Sequence, residues 1–232
     1  MKYKFGWILG LSILIACQSD PKSTVPSDNA DNDDEEMVDE LVDTLLNTEN
    51  IRTFESLGFT TVAKSKVQGF DWSKFVMSDT WKEDTMYTTP FRPTADYYTN
   101  YGRFLKYSPD STYFVDLDSY NINIHKDNKG NWVGEELGPD TEVSLINPKT
   151  GEKTRLMFFG PSSSIEEAIW LDDDNVALLG VHDDGVSGAI AVVWKYHLPT
   201  QTFYLYELKD GLSAQELIGS WRHERLKGVA IR

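Results

Sequence analysis

Apolar residues change rhythm several times along this chain, and each rhythm predicts a different element. Phe5 to Ile15 is an apolar run of 11 residues behind Lys2 and Lys4. A membrane span needs roughly 20, so the run reads as an export signal with a positive n-region and a short h-region. Gln18 to Asp34 is polar and acidic, and too poor in bulky side chains to offset its ordering entropy. It reads as a solvated tether. Met37, Val38, Leu41, Val42, Leu45 and Leu46 then recur at helical spacing among acids. Asp33 or Asp34 can cap this stripe, and Glu35 and Glu36 suit the positive end of its dipole. It predicts a short helix that packs on the domain or frays, with a docking helix for a partner as the functional alternative.

From about Arg103 the pattern becomes short strands separated by turns. Phe104–Tyr107 and Thr112–Leu117 flank Ser108-Pro109-Asp110-Ser111, where proline and aspartate supply turn chemistry. Glu142–Ile146 and Thr154–Phe159 flank Asn147-Pro148-Lys149-Thr150-Gly151. Ile165–Leu171 and Val176–Val181 flank Asp172-Asp173-Asp174-Asn175, and Ala191–His197 and Phe203–Leu208 flank Leu198-Pro199-Thr200-Gln201-Thr202. Val176 to Leu179 is continuously apolar, as in a strand buried on both faces. The order of the two hairpin kinds occurs twice, with Asp110 and Asp173 63 residues apart and Pro148 and Pro199 51 apart. This predicts a divergent repeat of four-strand meanders. A longer polar connection in the first unit, His125 to Pro139, absorbs the difference.

Phe70 to Tyr120 holds 14 of the 29 aromatic residues, among them Trp72, Trp81, Phe91, Tyr97, Tyr98 and Tyr101. With Pro90 and Pro93 interrupting it, it predicts an irregular wrap that seals an open sheet. The functional alternative is an aromatic platform for sugar or peptide. Ser213 to Lys227 predicts a helix acting as a lid on a sheet edge. Ser213 and Glu216 form a capping-box pattern, Leu217, Trp221 and Leu226 its buried side, and Arg222, Arg225 and Lys227 its basic end.

Charge narrows the class of partner. The net charge is -15 and the pI about 4.6, which argues against nucleic acid and against electrostatic binding to anionic lipid. Gln18 to Asn50 carries 11 acids against one base, Lys22, whereas Ile51 onward carries 26 acids against 19 bases. Cys17 is the only cysteine, so neither an intramolecular disulfide nor a cysteine metal cluster is available.

Leu14-Ile15-Ala16-Cys17 resembles the lipobox of bacterial lipoproteins. That resemblance implies a diacylglycerol thioether on Cys17, cleavage before it and acylation of the new N-terminus. The expected organisation is a signal peptide (1–16), an acidic tether (17–50) and a folded domain (51–232). Gln18 follows the cysteine in place of the aspartate that retains lipoproteins at the inner membrane. Gln18-Ser19-Asp20 is similar to the acidic surface-export signals of Bacteroidota lipoproteins. The expected location is the outer membrane, on its periplasmic face or at the cell surface.

Tyr107-Ser108-Pro109-Asp110 and Asn147-Pro148-Lys149-Thr150-Gly151 resemble turn elements in blades of TolB-like β-propellers, over about Arg103 to Leu208. The resemblance implies a mainly β fold with two blade-like meanders. A propeller closes with 4–8 blades, so a partial, blade-like domain with covered edges is expected. Ile51 to Gly102 has room for a degenerate third unit.

Candidate chemistry is sparse. His125, His182, His197 and His223 are scattered without ligand spacing. His182-Asp183-Asp184-Gly185 reads as a loop. Asp116, Asp118 and Asn121 match the start of a calcium loop but lack its glycine and distal glutamate. Ser162-Ser163-Ser164 lacks the nucleophile-elbow glycines. No catalytic residue, metal or cofactor is therefore expected. The expected function is a lipid-anchored binding or assembly module, attached through Cys17 and taking an envelope protein or glycan. The alternative is an envelope hydrolase using Glu166, Glu167 or Asp172 to Asp174 as paired carboxylates.

Overall fold

The structure is a computed structural model that describes residues 48–232 except 184, 187 and 210. The signal, Cys17, the tether up to residue 47 and the Met37–Leu46 stripe lie outside the described residues, and the last three residues assigned to the tether, Thr48 to Asn50, open the first helix. In chain order the elements are α1 (Thr48–Ser56), α2 (Phe59–Lys66), β1 (Phe75–Lys82), β2 (Thr88–Pro90), α3 (Ala95–Tyr101), β3 (Lys106–Tyr107) and β4 (Phe114–Asp116). β5 (Ile122–Lys126), β6 (Trp132–Glu136), β7 (Thr141–Asn147), β8 (Glu152–Phe159), β9 (Ser163–Trp170) and β10 (Asn175–Asp183) follow. Last come β11 (Ala189–His197), β12 (Thr202–Leu208), α4 (Ser220–Arg225) and β13 (Ala230–Ile231). No helix among the described residues is long and apolar enough to cross a membrane.

The fold is mainly β, and the two meanders are present as antiparallel sheets. Sheet one runs β2-β8-β7-β4-β3 and sheet two runs β1-β12-β11-β10-β9. The four strands of each meander follow one another around the sheet, and Phe70–Tyr120 adds to each an outer strand that the sequence did not predict. β1 pairs with β12 and β2 with β8. No third meander forms in Ile51 to Gly102; that stretch supplies α1, α2, α3 and these two strands.

The ladders align the two sheets residue by residue. Across sheet one a row runs Thr89, Lys153, Ile146, Phe114, Tyr107. Across sheet two the matching row runs Trp81, Phe203, Tyr196, Val176, Trp170. Val176, Tyr196 and Phe203 pack against Val115, Val143 and Leu145 of sheet one. Their counterparts Phe114 and Ile146 instead face away from sheet two, under Phe91, Tyr97 and Tyr101. Like faces therefore point the same way, and the sheets stack front to back. A two-fold relation would have set like faces together; a rotation that repeats, as in consecutive blades, sets front against back.

Each end of this stack is covered differently. The far face of sheet two carries Ala177, Leu179, Ala191, Val193, Tyr206 and Leu208 beneath a layer from α1, α2, the C-terminal segment and a Phe54, Phe70, Trp72, Phe75 aromatic cluster. Trp72 donates its indole N–H to Thr60 at 2.8 Å, so the bulky ring is buried without an orphaned donor. On the front of sheet one, α3 covers one end only.

Two expectations need correction. The polar connection from His125 to Pro139 is largely a hairpin, β5–β6, whose turn is organised by Asp127 accepting from the amides of Lys129 and Asn131. Ile122 and Ile124 bury its apolar side against Phe104 and Leu226, and β13 pairs with β6 in parallel. The C-terminal helix is present but shorter than Ser213–Lys227: a 3-10 turn at Gln215–Leu217 precedes α4, and Gly219 between them takes a φ of 75°. Leu217, Trp221 and Leu226 are buried as the periodicity predicts, and α4 lies against edge strand β9.

Candidate functional site

The carboxylates singled out from sequence are taken up by the fold. Glu166, on β9, is buried and accepts from the amides of Gly219 (2.6 Å) and Trp221 (3.1 Å) and from Ser164 Oγ (3.0 Å). It caps the start of α4 from outside the helix, next to Gly219, whose φ of 75° is one that glycine adopts without strain. Burial raises the Glu166 carboxyl above its usual range despite those donors. Glu167 takes an ion pair from Lys106 at 2.8 Å. The Arg225 side chain is 2% exposed, donates from Nη1 to Asp118 and from Nε to the Glu166 carbonyl at 2.9 Å, and lies 3.9 Å from Glu167. Asp116 accepts from Tyr97 Oη at 2.7 Å and from the amides of Asp118 and Ser119. Desolvation holds Asp118 above the usual carboxylate range against the pull of Arg225. These groups tie α4 and α3 to the sheets.

Two of the three acids of the second Asp turn are also occupied. Asp172 accepts from the amides of Asp174 and Asn175, and Asp173 accepts from the amide of Asp110 at 2.8 Å. The two equivalent turns therefore touch. Ser163 Oγ lies 2.6 Å from His182 Nδ1, but Ser163 is only 5% exposed. Asp183 spends Oδ1 on the Gly185 amide and, as the next residue along β10, points to the opposite face from His182. Among the described residues no group of three or more His, Cys, Asp or Glu is placed to hold a metal ion.

The exposed chemistry gathers elsewhere, on the front of sheet one beyond α3. A groove of about 220 Å³ is lined by Tyr87, Thr89, Tyr120, Glu142, Lys153 and Arg155. At its floor Glu142, 3% exposed, meets Lys153 Nζ at 2.9 Å, Arg155 Nη2 at 2.7 Å, Arg155 Nε at 2.8 Å and Ser144 Oγ at 2.8 Å. Burial pushes the Glu142 carboxyl up, but these donors and charges outweigh it and hold it below its ordinary value. Glu142 is therefore ionised at neutral pH, and two cations surround one anion.

The local sequence explains the geometry. Lys153 and Arg155 lie two apart on β8, so both point to the same face. The ladder then slips: Val143 faces Met157 but Ser144 faces Arg155, so Leu156 is an extra residue in β8. A bulge of this kind shifts the alternation by one, and it brings Phe158 onto the face of Arg155 and opposite Glu142. The guanidinium then sits 4.9 Å from the Phe158 ring centroid and 5.1 Å from that of Tyr87. Tyr120 meets Phe158 edge-on at 5.6 Å. Tyr87, Tyr120 and Phe158 are 63%, 41% and 42% exposed, unusually open for rings of this size.

Of the aromatic residues proposed from sequence as a platform, Trp72 is core, Trp81 stacks on Phe203, Phe91, Tyr97 and Tyr101 cover Phe114, and Tyr98 meets Phe114 edge-on while staying 38% exposed. Tyr87 and Tyr120 lie in the same stretch but were not singled out. Lys153, Arg155 and Phe158 were missed. Their signal was a pair of cations alternating on β8 opposite an acid on β7, visible only once the hairpin's register is known. A larger cavity, 380 Å³ beside α2 and α4, mixes Lys66 and His223 with Glu216 and Glu224 and has no Phe, Tyr or Trp in its lining. No protein family, curated protein or solved structure matched this chain.

Proposed function

We propose that this chain is a lipid-anchored cell-envelope protein whose β domain is a binding module, with its ligand seated in the groove on the front of sheet one. The observation that carries the reading is the groove itself: an excess of positive charge between exposed rings, in a chain of net charge -15. A strand face that only had to be solvated would not need bulky aromatic side chains held over a guanidinium. The lipobox-like Leu14 to Cys17 supports attachment through Cys17, and the acidic segment after it supports a tether that holds the domain away from the outer membrane. Of the carboxylates of the hydrolase alternative, Glu166 and Glu167 are buried and Asp172 and Asp173 accept backbone amides of the paired turns, which favours binding or assembly over hydrolysis.

Two experiments test the two halves of this reading. Radiolabelled palmitate should be incorporated into the wild-type protein in cells and not into Cys17→Ala; equal labelling of both, or none of either, contradicts the anchor. A glycan and peptide array probed with the full chain should give hits that weaken with Tyr87→Ala. Hits indifferent to every groove substitution would move the site elsewhere.

A further inference from the structure

We infer that the groove takes a single carboxylated sugar residue, a uronate ring within an otherwise neutral glycan; this rests on the binding-module reading above. Charge sets the first requirement. Arg155 spends Nε and Nη2 on Glu142, and among the described residues Nη1 has no hydrogen-bond partner. The Lys153 ammonium carries three donors and gives one contact to Glu142. One net positive charge with spare donors at the rim fits one carboxylate, and guanidinium hydrogen bonds to a carboxylate are among the strong ones. A densely charged polyanion fits poorly, because the region from Ile51 onward is itself acidic, 26 acids against 19 bases.

Shape sets the second. Tyr87, Tyr120 and Phe158 offer flat apolar faces, which suit the C–H face of a pyranose, and Thr89 and the two tyrosines add hydroxyls within the same wall. At about 220 Å³ the groove is below the roughly 300 Å³ at which pockets for drug-sized ligands begin. It holds one ring, with the rest of the chain outside. A peptide would more naturally add a strand to the edge beside the groove, which has no further strand among the described residues. That edge is β2, which has three residues and ends in Pro90, a residue with no amide to donate.

The test uses the full chain in detergent and isothermal calorimetry with three probes. One is a tetrasaccharide bearing a glucuronate residue, the second has glucose at that position, and the third is an acidic hexapeptide. The expected result is that the uronate probe binds about tenfold or more tightly than the neutral one. Arg155→Gln should erase that difference, and Tyr120→Ala should weaken both sugars alike. Circular dichroism matching wild type separates a lost ligand from a lost fold, and Tyr120→Ala touches only an exposed ring. Equal affinity for the two sugars overturns the carboxylate assignment and leaves the binding module standing. Arg155-dependent capture of the peptide alone overturns the sugar assignment. Binding of none of the three probes overturns this inference, while array hits sensitive to Tyr87→Ala would keep the module.

Discussion

The two sheets share one backbone plan and use the same face in opposite ways. In sheet two the front row Leu178, Trp194, Leu205 is apolar and packs on sheet one. In sheet one the matching row is Asp116, Ser144, Arg155. The neighbouring pairs repeat the contrast, Phe203 and Val192 in sheet two against Lys153 and Glu142 in sheet one. A face that receives no further sheet must be covered or made polar, and sheet one does both, with α3 over one end and charge at the other. The repeat thus ends as solenoid arrays end, with a modified terminal unit. The lesson is that the polar end of a stack is where function has room to develop.

Substitutions in the two sheets should differ most on the buried side. Trp194→Ala opens the sheet interface and should cost about 3–5 kcal/mol in denaturant unfolding, whereas its counterpart change Ser144→Ala should cost about 1 kcal/mol. Asp118→Ala should rank next, at about 3 kcal/mol, because it strands the buried Arg225 guanidinium; a cost near zero would mean that Arg225 is not buried as described. The turns differ in a smaller way. Gly151 and its counterpart Gln201 both have positive φ, 76° and 55°. Gln201→Gly relieves a left-handed side chain and should raise stability by about 0.5–1 kcal/mol.

Acid titration gives the smallest effect. Glu142 is held below its unfolded value of 4.5, so its contribution is complete above that pH and fades as pH falls through the lower, folded value. The stability gap between wild type and Glu142→Gln should be below about 1 kcal/mol, because its partners are partly exposed. That gap should be constant at neutral pH and close only in acid. A gap that widens in acid would reverse the sign assigned to this group.

The hairpins were legible because alternation and turn chemistry are local. Ser108-Pro109-Asp110 and Asn147 to Gly151 mark their turns whatever lies far away. What escaped was set by distant partners. β1 finds its place only against β12, beyond a hundred intervening residues, and its burial is too mixed to read as a strand alone. Ile122 and Ile124 were hidden in a polar stretch whose apolar side faces Leu226. Arg225 carries the signature of a solvated helix end, yet Asp118 and Glu167 draw it inside. The groove required both a register and a bulge at Leu156, and neither is written in composition.

The most direct measurement is sedimentation of a chain beginning at Gln18, compared with a variant that gives sheet one the front of sheet two: Glu142→Val, Lys153→Phe and Arg155→Leu. If charge ends the stack, the unaltered chain sediments as a monomer and the triple variant associates through its new apolar face. Self-association of the unaltered chain, abolished by Arg155→Glu, would contradict the account, because the front of sheet one would then be a seat for another copy rather than for a ligand.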